Sequence, residues 1–435
     1  MRTRRATFIS IGAGMTLVAG AAVTALAPGA SAGPAPTVVD SVVTTTEDYF
    51  IEGVDGVCDD GPDGACGLRE AVEEADAAEG GTITFGVDGT FGLRGDIDLS
   101  GGQDIVIEGN GVAETVIESE PVVFNFRGEN DLERHFSVDD GTFLSISDVT
   151  LQDGSEDVGG SILVHDSAEV RAEDVHFVDN SAYSGGAIYA NADSDTVTVL
   201  DSTFSGNNAV FGGAIFVNQD TVSVQNSTFT DNTAESGAAI YVSGAGILDV
   251  HWSTFSQNTA TSPFVRGARS FQTDAQQGTI SSIQGAEITV SHSILEKLGG
   301  DGTDECTGGP ITSGGANIVD DTSCAFTEPL DVEDTAANVG PLQDNGGATF
   351  TMALAADSAA VDVDTELCKL NDQRDLPRNT DGDGDGTDAC DSGAYELQPA
   401  PDEPTTTSTT AADGNVGADT ATPATPTVAR PTFTG

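Results

Sequence analysis

The stretch of this chain best suited to chemistry is Asp381-Gly382-Asp383-Gly384-Asp385-Gly386-Thr387-Asp388. Alternate carboxylates in a D-x-D-x-D-G spacing wrap hard oxygen ligands around calcium, and the glycine makes the sharp turn. Asp381, Asp383, Asp385 and Asp388 are therefore the candidate metal ligands, and calcium is the one cofactor the sequence suggests. The twelfth position is Ser392 where an EF-hand has Glu, so the set is incomplete unless Asp391 or Glu396 joins it. An acidic hairpin without an ion accounts for the same residues.

A second acidic feature is the series Asp148, Asp174, Asp201 and Asn226, which recurs at one position of a repeat. Stacked carboxylates repel unless hydrogen-bonded or bridged by a cation. The adjoining Ser202-Thr203 and Ser227-Thr228 suit turn capping, which is the simpler account. The five histidines, His135, His165, His176, His251 and His292, occur singly, and each reads as a packing or surface residue. Arg127, Arg134, Arg171, Arg266, Arg269, Arg374 and Arg378 are scattered along the chain. No catalytic residue can be assigned: a hydrolase needs two carboxylates at a set separation, and 71 Asp and Glu hide any such pair.

What positions these groups is a repeat. Phe-x-x-Asn occurs at Phe177/Asn180, Phe204/Asn207, Phe229/Asn232 and Phe255/Asn258, in steps of 27, 25 and 26 residues. Gly185-Gly186-Ala187-Ile188, Gly212-Gly213-Ala214-Ile215 and Gly237-Ala238-Ala239-Ile240 follow the first three. Apolar pairs two apart precede each block at Leu144/Ile146, Val170/Ala172, Val197/Val199, Val222/Val224, Leu248/Val250 and Ile288/Val290. Spacing by two is the period of a strand, and a repeat of this length predicts coils of a parallel β-helix, each burying its apolar face on its neighbours. Phe should point inward, and Asn should sit at the next corner, tolerating a left-handed backbone and hydrogen-bonding from coil to coil. Gly-Gly should form another corner. These are structural roles.

The chain has 435 residues and a formal charge of −56, with 71 Asp+Glu against 15 Lys+Arg. Such a surface repels nucleic acid, anionic lipid and polyanionic glycans, so no nucleic-acid partner is expected. Residues 1–32 read as a signal peptide, with Arg2, Arg4 and Arg5, an apolar stretch from Phe8 to Leu26, and Ala30-Ser31-Ala32 as the cleavage site. No later stretch is long and apolar enough to cross a membrane. The six cysteines fall in local pairs, Cys58 and Cys66, Cys306 and Cys324, and Cys368 and Cys390, separated by 8, 18 and 22 residues. In an oxidising compartment local pairing is the simplest of the possible connectivities, and it would staple the two ends of the solenoid. Residues 33–103 are read as an N-terminal cap with first strands, 104–300 as coils, 301–398 as C-terminal coils and cap, and 399–435 as a disordered Pro/Thr-rich tail. The step of 40 residues from Val250 to Val290 predicts a projecting insertion near 262–284, a natural place for binding.

Cys66-Gly67-Leu68-Arg69-Glu70-Ala71-Val72, followed by Gly81-Thr82-Ile83-Thr84-Phe85, resembles the CSLREA segment that begins many secreted bacterial β-helix proteins. Bottom-up, residues 66–78 form a short amphipathic helix with Leu68, Val72 and Ala75 on one face, able to plug the first coil. Gly340-Pro341-Leu342-Gln343-Asp344-Asn345-Gly346-Gly347-Ala348-Thr349, Asp372-Gln373-Arg374 and Cys390-Asp391-Ser392-Gly393-Ala394-Tyr395-Glu396 are similar to the choice-of-anchor Q family. The pairing of Gly-Gly-Ala-Ile with Phe-x-x-Asn resembles the repeats of chlamydial polymorphic outer-membrane proteins, which are adhesins. These resemblances imply an all-β, single-stranded right-handed parallel β-helix of pectate-lyase-like form, capped at both ends. They also imply a secreted, extracellular protein, cell-wall associated in one version, monomeric, and with an adhesin-like role toward a cell-surface glycan or a host or cell-wall component. The alternative from the same fold is a polysaccharide lyase or glycoside hydrolase, against which the acidic surface and scattered arginines argue.

Overall fold

The computed structural model describes residues 38–48, 58, 61, 64–120, 133–191, 196–261, 277–283, 285–297, 304–366, 368 and 371–399. The leader, most of the insertion (with Arg266 and Arg269), Arg127 and the Pro/Thr-rich tail lie outside the described residues.

The apolar pairs define the first wall of a parallel β-helix. Ser41–Val43, Gly81–Phe85, Asp104–Glu108, Phe143–Gln152, Glu169–Val178, Thr196–Leu200, Thr221–Gln225, Ile247–His251, Glu287–Ser291 and Ile311–Gly315 pair in parallel, each with the next. Coils thus begin before residue 104, and Val250 stays opposite Val290 across the insertion. A second wall carries Phe177, Phe204, Phe229 and Phe255, and a third, eight-stranded sheet runs from Ile97–Leu99 to Asp304–Thr307. Inward residues of all three walls are buried in one continuous core.

The phenylalanines stack with ring centroids 4.5, 4.6 and 4.7 Å apart, the spacing of neighbouring β-strands. Asn180, Asn207, Asn232 and Asn258 are buried beside them and form a continuous ladder. Each of the first three side-chain amides donates to the next Asn Oδ1, at 2.9–3.0 Å. One expectation is corrected: the left-handed backbone sits on the residue before the ladder Asn. Asp179, Gly206, Asp231 and Gln257 have φ of 55°, 70°, 57° and 63°. That leaves Asn in a conformation from which its amide points along the stack, so amide chemistry rather than backbone tolerance selects Asn there.

The Gly-Gly corner divides the work between its two residues. Gly185 and Gly212 have φ of 66° and 64°. At Gly213 a Cβ would lie 2.0 Å from the Ala238 carbonyl oxygen of the next coil, so close backbone approach excludes a side chain there.

At the N-terminal end, helix α1 (Leu68–Ala77) lays Leu68, Ala71, Val72 and Ala75 on the first rungs. Arg69 is buried, bonding Asp48 and donating to the backbone carbonyls of Arg94, Gly95 and Asp96. It locks the cap. The last rung ends near Val319, where Cys306–Cys324 and Phe326 join the end of the core.

The described residues of 337–397 do not finish that end plug. They run back along the flank of the solenoid, and Cys368–Cys390 staples this strap, not a coil end. Gln373 donates to Ser202 O and Thr203 Oγ1, Thr349 donates to Asp201 O, and Ala394 N donates to Thr254 Oγ1. A second, smaller apolar core of Ile294, Ile318, Val339, Met352 and Leu354 lies beneath the strap.

Candidate functional site

The strap converts one corner of the solenoid into a groove. The corner is the recurring acidic position, now seen as a column of left-handed residues: Asp148, Asp174, Asp201, Asn226, Trp252 and His292, with φ between 45° and 56°. Asn and Asp take this conformation readily, whereas Trp and His do so only where packing holds them. One residue further on, Ser202, Ser227, Ser253 and Ser293 form a second ladder, in which Ser202 N, Ser227 N and Ser253 N each donate to the next Oγ at 3.2 Å. Of each Ser-Thr pair the serine caps the turn, Ser202 and Ser227 donating to the carbonyls of Leu200 and Gln225, whereas Thr203 and Thr228 donate to the strap at Phe350 O and Gln373 Oε1.

Toward the C-terminal end the column holds the strap. Asn226 donates to Asn371 O and accepts from Arg378, whose guanidinium lies 5.8 Å from the Trp252 ring centroid. His292 Nε2 is 2.9 Å from Asp364. Between the strap and the column toward the N-terminal end lies a groove of about 540 Å³ lined by Asp174, Asp201, Asn226, Asn371, Asp372 and Arg374, among others. Burial, reinforced by Asp201 and Asp148, pushes Asp174 up to about 7. Burial pushes Asp201 up to about 6, although the Asn226 amide donates to it at 3.1 Å and opposes the shift.

This arrangement can hold a proton or a cation. Because a raised carboxyl keeps its proton in the folded chain after the unfolded chain has lost it, its stabilisation is complete below about pH 4 and is lost as pH climbs to about 7. Asp174→Asn combined with Asp201→Asn should flatten that decline and raise the urea midpoint at pH 7.5, since Asn already occupies the column at position 226. An unchanged pH profile would show that the two acids titrate normally.

His135 and His176 are spent on packing. His176 sits 2.7 Å from Ser205 Oγ and His135 3.0 Å from Ser161 Oγ, and burial lowers both to about 4. Neither is a base poised near neutrality.

The acidic loop lies on the strap. Gly386 N donates to Asp381 Oδ2 at 3.0 Å, Asp385 N to Asp383 Oδ1 at 2.9 Å and Thr387 N to Asp385 Oδ1 at 2.8 Å, so the loop is folded by its own carboxylates. Of the four acids expected to act together, Asp381 and Asp383 converge, joined by Asp362, with one oxygen from each within 4.8 Å of the others. Asp385 and Asp388 are exposed and stand outside that group. Asp391 and Glu396 do not complete it. Asp391 accepts from Asp362 N, and Glu396 accepts from Asp391 N and lies 3.6 Å from Arg378. No local motif flags Asp362; it joins through the fold.

The cysteines pair as their local spacing suggested: Cys58–Cys66, Cys306–Cys324 and Cys368–Cys390. On the outer face of the third sheet, Tyr189, Phe216 and Tyr241 stack at 5.0 and 5.4 Å, and Tyr183, 57% exposed, packs edge-on to Phe211.

Residues 174–191 and 226–243 match the Chlamydia polymorphic membrane protein repeat. Both stretches span the same part of a coil, from the left-handed corner through the stacked Phe and ladder Asn to the outer strand. No curated protein and no solved structure matches the chain. The repeat likeness and the three disulfides fit an extracellular or surface protein. Among the described residues, no helix is long and apolar enough to cross a membrane.

Proposed function

We propose that this protein is an extracellular or cell-surface β-helix with an adhesin-like binding role, directed to a glycan or to a host or cell-wall component. The match of its coils to the polymorphic membrane protein repeat carries this reading. The physics of the repeat agrees with it: ladder Asn, stacked Phe and Gly corners are consumed by stacking, leaving outer faces, groove and strap free to differ in what they contact.

The reading predicts that purified protein will bind cells or immobilised cell-envelope material saturably, and that protease applied to intact producing cells will remove it. Absence of both saturable binding and surface exposure would refute it. A second reading, glycan hydrolysis or elimination, draws on the groove with Asp174 and Asp201, whose raised carboxyls suit proton transfer. Release of cleavage products, lost on replacing those two acids, would favour it.

A further inference from the structure

Among the described residues of the strap, three carboxylate oxygens of the half-buried Asp362 and Asp381 are closed to solvent without a hydrogen-bond partner: both oxygens of Asp362, and Asp381 Oδ1. Enclosing charged oxygen without a partner is expensive, and an unexplained case points to a missing proton or ion. A single proton satisfies one oxygen and leaves the others facing one another. The Asp383 backbone N–H gives Asp362 only partial compensation, without reaching hydrogen-bond geometry. No lysine or arginine forms an ion pair with Asp362, Asp381 or Asp383 among the described residues.

The surroundings are organised to keep these oxygens together. Asp391 Oδ1 accepts from Asp362 N at 2.8 Å, which fixes the backbone that carries Asp362. The Gly386 N–H holds the other oxygen of Asp381, at 3.0 Å, leaving Oδ1 turned away from that bond. Cys368–Cys390 ties the two strands of the strap that bring Asp362 and the loop together. Nitrogen and sulfur donors are absent from the group, so the ligand chemistry is that of a hard cation. Several carboxylates on a flexible loop, with no rigid octahedral frame, favour calcium over magnesium.

We propose that Asp362, Asp381 and Asp383 form a calcium site that pins the acidic loop to the body of the strap. The loop motif supplies two of the ligands and the fold supplies the third. Bound calcium therefore stabilises the strap, and Asp385 and Asp388, exposed on the outer side, are dispensable for it.

The test is calorimetric titration of the full chain, stripped with chelator, with calcium chloride in about 0.15 M salt, where surface charges are screened. Wild type and Asp388→Asn should show one site well above the diffuse background, with a calcium-dependent rise in melting temperature. Asp362→Asn should weaken that site at least about tenfold, and its calcium-free melting temperature should rise because a buried repulsion is gone. Asp383→Asn, a change on an exposed residue that leaves the core alone, should weaken it as well. Magnesium should bind less tightly than calcium. Calcium binding by Asp362→Asn and Asp383→Asn as tight as that of wild type, or no heat and no melting shift for wild type at millimolar calcium, would overturn the proposal.

Discussion

Asn207→Ala should lower the free energy of unfolding by about 4 kcal/mol, although it removes one small side chain from the middle of the ladder. Asn207 Nδ2 donates to Phe177 O at 3.1 Å and to Asn232 Oδ1 at 2.9 Å, while its Oδ1 accepts from Asn180 N and Asn180 Nδ2 at 3.1 and 3.0 Å. The residue is fully buried, so water cannot replace these partners. Asn232 Oδ1 keeps the Asn207 backbone N–H, at 3.0 Å. The Phe177 carbonyl and the Asn180 backbone N–H are orphaned, each at about 1–3 kcal/mol, and Asn180 Nδ2 loses one of its two bonds while keeping Leu151 O at 3.0 Å. Asn208 is the internal control. It is exposed and bonds Thr233 Oγ1, so Asn208→Ala should change stability by about 0.5 kcal/mol or less. Urea unfolding of the two variants decides the matter, and equal losses would mean that the ladder adds nothing beyond local turn preference.

Arg378→Ala should cost about 3–5 kcal/mol and release the strap while the coils persist. The Arg378 guanidinium is buried and donates to Asp391 O, Asn226 Oδ1 and Gly393 O, at 3.2, 3.1 and 2.9 Å, beside Glu396 at 3.6 Å. Removing it strands Glu396, which burial already pushes up to about 6, against Asp391, which burial and the Glu396 charge push up to about 8. Both acids are raised, so the penalty should be largest above about pH 8 and shrink below about pH 6, where Glu396 takes a proton. Coils of a solenoid lean only on their neighbours, so the damage should stay local. Limited proteolysis should cut the strap of the variant and leave a trimmed core carrying the Phe ladder. A variant as resistant as wild type at pH 8 would show that Arg378 does not hold the strap.

The coils were legible because each uses the same few residues. Apolar pairs two apart, Phe and Gly-Gly recur with the strand period and the coil period, so neighbouring sequence suffices to place them. The left-handed corner was misassigned by one residue at Asn180 and its equivalents, because Asn is common both in such corners and in amide ladders and the sequence does not separate the two uses. The strap could not be placed. Its contacts join residues as far apart as Ser202 and Gln373, and Trp252 and His292 occupy the Asp/Asn column without resembling it. The candidate metal group was half visible for the same reason. Asp381 and Asp383 carry a local motif, whereas Asp362 arrives from another segment, and Asp385 and Asp388 lie outside the group.

The proposed role is that the repeat builds a scaffold for contact. The most direct measurement is incubation of the full chain with a panel of neutral and acidic glycans, with and without calcium, following both retention and release of new chain ends. The account predicts saturable retention of at least one surface glycan with no product under either condition. Product release, abolished by Asp174→Asn and Asp201→Asn in a chain that still folds, would contradict it.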